Sequence, residues 1–554
     1  MTTNQTDDHR AAAGPDRERL LRWLGFGLLA LLFVVVTLVR IRLLTVPLER
    51  DEGEYAYLGQ LLLQGQLPYQ AAYTMKLPGT HACYALAMLL FGQTAAGVHA
   101  GLLVVTTLSA GMVFLLGRRL GGDLAAAVAG AVYLVLAVSG TVLGTFAHAT
   151  QYVVCFALAG LLLYCRWSDR PRPPVLLVSG LLFGLALLMK QHGLFFAAVP
   201  LTLLLCPPVG AVRERRLANA VLFVVGVLLP LFLLVLYYAA AGSLGKLVFW
   251  TVSYASAYTG TIPPAMGWQV FKNQFADVTV NTAPFWLLAA AGVIGVLVRP
   301  PAGFGRRLPL LLMVAAVAAI VPGFHFRPHY FVQALPVVAL LAGLAVATLP
   351  RLVPSRWRTV VQLLLLVLVA GAAGRILYAE RSRLFQLPPE EVVKASYQTA
   401  KPFAESAAVA DFIRENSAPT DKIMVIGSEP QIYFYARRPA ATGYIYLYGL
   451  LENQRYAALM QDEFLREMTT AAPKFVVVVH DLTTWMSDGT GPDRFMANAN
   501  RYLAENYVQV GVVDIFRNEP SRFVWGRGAA LYRSSSSTYM LVLLRKDQLS
   551  GAGG

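Results

Sequence analysis

Three carboxylates follow directly after a long apolar segment in "LERDEGEYAYLGQ", at Asp51, Glu52 and Glu54. Charged groups at the boundary of a bilayer are costly unless they are hydrated, paired or functional. A carboxylate in this position can accept the proton of a substrate hydroxyl and so act as a general base. The same residues can also begin a helix, because acidic side chains are stabilised in a first helical turn. Position alone leaves both interpretations open.

Cationic and hydrogen-bonding side chains recur at other turns that we predict on the same side of the membrane. They are Lys76, Lys190, His192, Arg327, His329 and Tyr330. Singly, a Lys or Arg at a membrane boundary often only extends its apolar stem along the bilayer surface. As a set, these groups favour an anion site, because Lys and Arg bind phosphate through charge-assisted hydrogen bonds. A carboxylate facing them would stay ionised at neutral pH and could act as a base.

A lipid-linked phosphate would give these groups a defined chemistry. The phosphate would be the leaving group on the anomeric carbon of a sugar, and the cations would stabilise its developing charge. Asp51 would remove the proton of an acceptor hydroxyl. A single in-line displacement of this kind inverts the anomeric centre and needs no soluble nucleotide sugar.

The composition indicates the kind of scaffold that must position these residues. The chain has 554 residues, of which 56% are hydrophobic and 14% charged, and its mean hydropathy is +0.55. These values predict a polytopic membrane protein. The net charge of +15 comes from Arg and Lys clusters between apolar runs, which indicates membrane topology rather than nucleic-acid binding. The cysteines lack metal-ligand spacing, which argues against a zinc site or a disulfide framework.

Apolar runs of roughly 20 residues mark membrane-spanning helices. Scanning the chain gives eleven such segments, near residues 22–44, 96–117, 123–143, 149–165, 174–190, 193–207, 217–241, 282–298, 307–323, 329–349 and 359–378. Basic loops stay in the cytoplasm, which places the N-terminus inside and the unusual polar residues outside. The sequence therefore predicts a cytoplasmic tail at 1–21, a transmembrane domain at 22–379 and a soluble extracytoplasmic α/β domain at 380–554.

Two segments interrupt this simple pattern. Within the outer loop 45–95, "EYAYLGQLLLQG" and "HACYALAMLLFG" are too short or too amphipathic to span, and they predict interfacial helices. In the tail, "KIMVIG" is followed by "SEPQ", without the glycines that let a backbone close on a pyrophosphate, so a nucleotide site is poorly supported. We expect the tail to act as a cap over a cavity in the membrane domain.

Four segments resemble the bacterial GT-C membrane glycosyltransferases, in the protein O-mannosyltransferase and aminoarabinose transferase branch that uses polyprenyl-phosphate sugars. They are "RDEGEYAYLGQ", "MKLPGTHACYALAMLLFG", "GLLFGLALLMKQHG" and "FRPHYFVQALPVVALLAG". The resemblance implies a GT-C catalytic domain of about 11–13 transmembrane helices. It also implies that Asp51 is the catalytic base, with Glu52 beside it, and that Lys76 and Arg327 hold the lipid phosphate.

The remaining predicted site residues follow from the same resemblance. His329 and Tyr330 lie beside Arg327. Lys190 and His192 belong to the "KQHG" segment that carries the Lys-Gln turn, and Glu54 and Tyr55 belong to the first outer loop. All six are predicted to bind substrate. Tyr55, Tyr57, Tyr69 and Tyr73, with the segment "FWTVSYASAYTGTIPP", offer aromatic surface for a sugar ring or a prenyl chain. Aromatic residues are equally common as an interfacial belt.

The chain departs from the family pattern at three places. The Lys-Pro-Pro of the family is Lys-Leu-Pro here, and Met75 replaces the Glu that precedes Lys76 in the aminoarabinose branch. Gln151 stands where many members carry a second acid. Met75 argues against a metal site at that position, so no metal ligand is predicted, and a divalent cation remains an open alternative.

The sequence thus predicts an enzyme of the cell membrane, the inner or plasma membrane. It would be an inverting glycosyltransferase that moves a sugar from a polyprenyl-phosphate donor to a hydroxyl of a lipid, glycan or protein on the outer face. Its partners would be these substrates and membrane lipids, without nucleic acid. The alternatives are a transporter or flippase of lipid-linked sugars and a non-catalytic envelope assembly protein. The polar residues gather at one face and no two halves of the chain resemble each other, unlike in many transporters.

Overall fold

The computed structural model describes residues 13–206, 215–260, 262–301, 304–397, 399–481, 484, 494–517 and 519–551. To residue 379 its α-helices are α1 (Ala13–Arg42), α2 (Arg50–Leu63), α3 (Gly79–Phe91), α4 (Ala95–Val138), α5 (Ala149–Asp169), α6 (Pro173–Met189), α7 (Leu194–Leu205), α8 (Arg216–Ala240), α9 (Leu244–Val248), α10 (Ala255–Thr259), α11 (Pro264–Thr279), α12 (Ala283–Val298), α13 (Arg307–Ile320), α14 (Leu335–Thr348) and α15 (Ser355–Ala379).

After residue 379 helices and strands alternate. The elements are α16 (Pro389–Tyr397), α17 (Glu405–Glu415), β1 (Ile423–Ile426), α18 (Gln431–Ala436), α19 (Tyr448–Leu451), α20 (Ala457–Ala471), β2 (Phe475–His480), α21 (Arg494–Asn506), β3 (Tyr507–Ile515), β4 (Arg522–Trp525), α22 (Arg527–Leu531) and β5 (Thr538–Arg545). Short 3₁₀-helices span Gly140–Val142, Gln191–Gly193, Pro328–Ala334, Leu349–Leu352 and Lys546–Gly551, and π-helical turns span Phe249–Tyr254 and Ser382–Gln386.

Every one of the eleven predicted apolar segments coincides with a helix or with one half of α4. Among the described residues, six helices are long and apolar enough to cross a membrane, and α11 with α12 forms a further candidate bent by 107°. Four shorter apolar helices, such as α6 and α13, accompany them. The 44-residue α4 is broken at Gly122, where φ is 82°. At 1.5 Å per residue, α4 is about twice as long as the ~30 Å hydrocarbon core, which suits two spans.

The Cα positions divide the chain into two compact units, which we describe separately. Unit 1 comprises Met1–Leu43, Leu102–Leu234 and Pro264–Gln386. Its apolar helices approach closely at glycines. A Cβ at Gly180 of α6 would lie 2.3 Å from the carbonyl oxygen of Phe223 in α8, and a Cβ at Gly292 of α12 would lie 2.1 Å from that of Leu341 in α14. Such small-residue contacts are typical of helices that pack within a bilayer.

Unit 2 comprises Leu44–Gly101, Val235–Pro263 and Leu387–Gly554. Its five-stranded sheet has the order β1-β2-β5-β3-β4; β1 and β2 are parallel and the other neighbours antiparallel. β2 reads "FVVVVH" and is almost entirely buried, as expected for a central strand covered on both faces. The predicted α/β character of the tail is therefore confirmed.

The first outer loop folds together with the tail inside unit 2. The hydroxyl of Tyr435 accepts a hydrogen bond from the Leu48 amide at 2.8 Å, and the hydroxyl of Tyr57 accepts one from the Ala440 amide at 2.9 Å. The Tyr73 amide donates to the Gly443 carbonyl at 2.6 Å. The predicted interfacial segments are helical, as α2 and α3. The tail thus fixes the conformation of the loop that carries the three carboxylates.

A substitution at Gly53 tests this packing. A Cβ at Gly53 in α2 would lie 2.6 Å from the backbone nitrogen of Gln431 in α18. Because backbone would have to move, we expect Gly53→Ala to destabilise the protein by roughly 1–3 kcal/mol. Gly245→Ala in α9 is the matched control, since no atom lies within 4 Å of its Cβ position. Thermal unfolding in detergent measures both, and equal midpoints would contradict the close approach of α2 and α18.

Candidate active site

The N-terminus of α2 separates the neighbouring carboxylates into two environments. Glu49 is the N-cap, and its side chain accepts a hydrogen bond from the Glu52 amide at 2.9 Å; the Glu52 side chain accepts one from the Glu49 amide at 3.3 Å. This capping box stabilises a helix start. Glu52 is fully buried and lies 3.0 Å from Nε2 of His99. Glu52 therefore supports the helix that carries Asp51.

Asp51 belongs to a group that we call the acid–lysine cluster, formed by Asp51, Glu54, Thr74, Lys76 and Tyr446. Lys76 Nζ lies 2.8 Å from Asp51 Oδ1 and 2.5 Å from Glu54 Oε2. Tyr446 donates its hydroxyl proton to Asp51 Oδ1 at 3.1 Å, and Thr74 donates to Glu54 Oε1. The Asp51 side chain keeps 27% of its surface exposed, against 2% for Glu54. Asp51 is thus the carboxylate that a substrate could reach.

Aromatic rings and backbone groups hold Lys76 in place. Its Nζ lies 4.5 Å from the ring centroid of Tyr55 and 5.6 Å from that of Tyr446. Tyr69 donates its hydroxyl proton to the Lys76 carbonyl at 2.6 Å. Cation–π contacts of this kind strengthen when the ammonium is partly desolvated. Lys76 is therefore a fixed positive charge rather than a mobile surface group.

The ionisation of the cluster follows from burial and from its opposed charges. Burial acts to lower the pKa of Lys76, but the attraction of Asp51 and Glu54 outweighs it and holds that pKa well above its usual value. Burial raises the pKa of Glu54, and Lys76 counteracts only part of this rise. Burial and the nearby carboxylates raise the pKa of Tyr446, so its phenol remains a hydrogen-bond donor at neutral pH.

Unit 1 contains a second group, the basic–aromatic cluster, formed by His148, Lys190, His192, His329 and Tyr330. Lys190 Nζ lies 3.6 Å from the ring centroid of Tyr330, and His192 packs edge-on against the same ring at 5.5 Å. His148 stacks on His329 with centroids 4.1 Å apart. His148 directly precedes α5, Lys190 and His192 lie in the 3₁₀-helical turn between α6 and α7, and His329 and Tyr330 belong to the 3₁₀-helix Pro328–Ala334.

The predicted site residues thus fall into these two groups. Asp51, Glu54, Tyr55 and Lys76 come together in unit 2, while Glu52 faces His99 instead. Four others, Lys190, His192, His329 and Tyr330, come together in unit 1. Arg327 is exposed, at the start of the 3₁₀-helix in unit 1.

Sequence reasoning missed two members of the acid–lysine cluster and one buried neighbour. Thr74 lies only two residues before Lys76, and that proximity was an available signal. Tyr446 comes from the tail, 395 residues after Asp51, and gives no local signal. His81 in α3 is fully buried and packs against Tyr55 with centroids 5.7 Å apart.

Comparison with known proteins finds membrane glycosyltransferases that are similar in sequence or in fold. The sequence model of the family described as dolichyl-phosphate-mannose-protein mannosyltransferase matches residues 76–238. The structure of ArnT from Cupriavidus metallidurans bound to undecaprenyl phosphate is similar with a TM-score of 0.58 and 17% identity, over 93% of this chain and 97% of that chain. The apo state of that protein gives 0.58 and 18% over the same shares. No curated protein matches the sequence.

A second enzyme shares the fold more distantly. The archaeal oligosaccharyltransferase AglB from Archaeoglobus fulgidus, in complex with an inhibitory peptide and a dolichol-phosphate, gives a TM-score of 0.51 at 12% identity, over 90% of this chain and 74% of that chain. The predicted fold class is confirmed: this is a polytopic α-helical membrane protein of GT-C type with a C-terminal α/β region. The predicted enzyme class, a membrane glycosyltransferase, is confirmed with it.

Proposed function

We propose that the protein transfers a sugar from a polyprenyl-phosphate donor to a hydroxyl of a lipid, glycan or protein, with inversion at the anomeric carbon. Asp51 is the general base that takes the proton of the acceptor hydroxyl. Polyprenyl phosphate is the leaving group. The bond from the anomeric carbon to the phosphate oxygen breaks as the bond to the acceptor oxygen forms, so atoms and charge balance without a further reactant.

The geometry of Asp51 is the observation that carries this proposal. A general base must be ionised, accessible and fixed, and Asp51 has an ammonium at 2.8 Å, a phenol at 3.1 Å and 27% of its side chain exposed. The ammonium and the phenol both occupy Oδ1. Both contacts favour the charged carboxylate, which is the form that can take the proton of the acceptor hydroxyl.

The donor phosphate needs a cation, and each cluster, taken by itself, contains a lysine. Lys76 is charged throughout the neutral range, and Lys190 is the cation of the basic–aromatic cluster. Lysine binds phosphate as a point charge and stabilises the charge that develops on a leaving phosphate. We assign His192, His329, Tyr330 and Arg327 to donor binding with Lys190, and Glu54 and Tyr55 to positioning Lys76. The structures of ArnT and AglB contain undecaprenyl phosphate and dolichol-phosphate. Both molecules are lipid phosphates of the kind that the proposed reaction releases.

We place this reaction at the outer face of the cell membrane. The basic loops between apolar helices indicate a cytoplasmic N-terminus and a tail outside. The tail at 1–21, the transmembrane domain at 22–379 and the α/β domain at 380–554 remain the proposed topological parts. Most residues of unit 2 that precede 264 belong to outer loops in this scheme, as do Asp51, Glu54, Thr74 and Lys76, which is why the acid–lysine cluster can combine them with the tail.

A donor panel tests the function. The purified protein in nanodiscs receives radiolabelled polyprenyl-phosphate sugars and a membrane extract that provides acceptors. We expect at least one sugar to move to the extract with release of polyprenyl phosphate. If the lipid-linked sugar instead crosses proteoliposome membranes unchanged, the protein is a flippase. If no donor is consumed or moved in either assay, the proposed transfer is wrong.

The pH dependence of transfer depends on Glu54. Because burial raises the pKa of Glu54 above its usual 4.5, Glu54 takes up a proton at a higher pH than an ordinary glutamate as the solution is acidified. The ammonium of Lys76 is then paired with Asp51 alone. Because this stronger ion pair stabilises the Asp51 carboxylate, Asp51 becomes a weaker base toward the proton of the acceptor hydroxyl. We expect the transfer rate to fall as the pH decreases through this raised pKa, and to stay constant there in Glu54→Gln.

A matched variant separates this effect from general acid sensitivity. Glu415→Gln makes the same change at an exposed position in α17 and should leave the acid limb of the wild type in place. Initial rates between pH 4.5 and 8 with one donor and one acceptor measure all three proteins. A limb that persists unchanged in Glu54→Gln would assign the titration to another group.

A further inference from the structure

The carboxyl ends of the parallel strands β1 and β2 meet at one edge of the sheet in unit 2. In α/β proteins this edge commonly binds a ligand. Here the edge is filled by the chain itself: Ser428 and Glu429, which follow β1, and Thr484, which follows β2, are fully buried. The first outer loop adds a further side chain to this edge. It is Arg50, the residue directly before Asp51.

Glu429 binds Arg50 with one carboxylate oxygen and its own turn with the other. Oε1 accepts a hydrogen bond from Arg50 at 2.6 Å. Oε2 accepts one from the Ser428 amide at 2.8 Å and one from the Thr484 hydroxyl at 2.6 Å. Burial acts to lower the pKa of Arg50, but the attraction of Glu429 outweighs it and raises that pKa above its usual value. Arg50 is therefore a fixed cation at the start of α2.

The same turn after β1 also fixes the segment that carries Tyr446. The Ser428 hydroxyl accepts a hydrogen bond from the Leu447 amide at 3.2 Å. Leu447 directly follows Tyr446 in the chain, and Arg50 directly precedes Asp51. The turn thus contacts the immediate neighbours of both side chains in the hydrogen bond from Tyr446 to Asp51.

A buried ion pair contributes little net stability, because the desolvation of two charges offsets most of their attraction. Its position one residue from the proposed base indicates a role in geometry. We infer that Glu429 is a positioning residue for the transfer: through Arg50 it holds the first turn of α2 so that Asp51 meets Tyr446 and the acceptor hydroxyl. Glu429 need not touch the substrate for this. The inference rests on the proposed transfer and names the contact by which the tail positions its base.

Glu429→Gln tests the contact with little change of shape. The amide oxygen can still accept the Ser428 amide and the Thr484 hydroxyl, whereas the NH₂ group cannot accept a hydrogen bond from Arg50. Because a displacement of about 1 Å can lower a rate about 10²-fold, single-turnover transfer with saturating donor should be about 10–10²-fold slower than in the wild type. The Kd of the donor should not change. Glu415→Gln, at an exposed position in α17, is the matched control and should keep the wild-type rate.

A double variant separates positioning from stability. Arg50→Met leaves the buried Glu429 without this cation, so the protein should unfold at a lower temperature. Combining Arg50→Met with Glu429→Gln removes both charges, and thermal stability should return. Transfer should stay as slow as in Glu429→Gln, because the link to the sheet is still missing. A return of the wild-type rate together with the stability would make the pair merely structural and overturn the inference.

A spectroscopic measurement tests the same contact without turnover. Replacement of Tyr446 by 3-fluorotyrosine gives one ¹⁹F resonance, which should shift in Asp51→Ala because the acceptor of the hydroxyl is lost. If Glu429 positions Asp51, Glu429→Gln should move the resonance in the same direction, and Asp51→Ala should then add little. Glu415→Gln should leave the resonance in place.

The outcomes separate this inference from the proposed function. An unchanged resonance in Glu429→Gln, or wild-type transfer at saturating donor, would overturn the positioning role even if the protein transfers sugar. A loss of transfer that saturating donor restores would overturn it as well, because the variant would then act on donor binding. A resonance shifted toward that of Asp51→Ala would support the positioning role even if no donor panel gave transfer.

Discussion

Asp51→Asn is expected to lower the rate of sugar transfer by about 10²–10⁴-fold, the usual contribution of a general base, while donor binding is retained. Asparagine has nearly the same shape and can still accept the hydroxyl of Tyr446 and the ammonium of Lys76 through its amide oxygen. It cannot take the proton of an acceptor hydroxyl. Single-turnover transfer with saturating donor measures the loss, and donor titration measures the retained binding.

Asp462→Asn is the matched control for this variant. Asp462 is exposed on α20 in the same unit, and its substitution should leave both transfer and binding at the level of the wild type. A loss of donor binding equal to the loss of transfer in Asp51→Asn would make Asp51 a binding residue. Transfer at the wild-type rate would remove Asp51 from the mechanism altogether.

Lys76→Ala is expected to abolish measurable transfer and also to destabilise the protein by about 3–5 kcal/mol. The ammonium compensates Glu54, whose side chain is only 2% exposed, at 2.5 Å. Without it, the buried carboxyl must either keep an uncompensated charge or take up a proton. Thermal unfolding in detergent and donor titration measure the two effects.

A double variant separates the structural role of Lys76 from its role with the donor. Combining Lys76→Ala with Glu54→Gln removes both members of the buried pair, so we expect most of the lost stability to return. Donor binding and transfer should not return, because the cation for the phosphate is still missing. Lys422→Ala, at an exposed lysine before β1, should change neither property. Recovery of transfer in the double variant would show that Lys76 acts only in folding.

The membrane helices could be predicted because their signal is local. Each depends on a run of apolar residues long enough to cross a bilayer, and all eleven runs correspond to helices or to half of α4. The interfacial helices α2 and α3 could be predicted as well, because their segments are too short or too amphipathic to cross a bilayer. The sequence predicted a carboxylate facing a set of cations that includes Lys76, and Asp51 and Lys76 lie in one loop, only 25 residues apart.

The rest of the site depends on contacts between distant parts of the chain. Tyr446 reaches Asp51 across 395 residues, and Tyr73 meets Trp250 and Glu467 through packing that periodicity does not encode. For Glu52, the sequence indicates one contact and not the other. Its spacing from Glu49 is that of a capping box, but the partner His99, 47 residues away, gave no signal in the sequence.

The aromatic segments occupy an intermediate position. The tyrosines of the first loop and the segment around Trp250 were recognisable as candidate surface for a sugar or a prenyl chain. Composition could not separate this role from an interfacial belt, because both use the same side chains. The structure adds one fact that composition does not contain: the hydroxyls of Tyr73, Tyr444 and Tyr254 each donate a hydrogen bond to a glutamate within unit 2.

The stoichiometric release of polyprenyl phosphate tests the central claim most directly. The wild type and Asp51→Asn are each loaded with one labelled donor in nanodiscs, an acceptor is added, and free polyprenyl phosphate and transferred sugar are counted over time. We expect one polyprenyl phosphate per sugar transferred by the wild type, and both products to appear about 10²–10⁴-fold more slowly from Asp51→Asn with its donor still bound. Equal release by both proteins, or passage of the intact donor without release, would contradict this expectation.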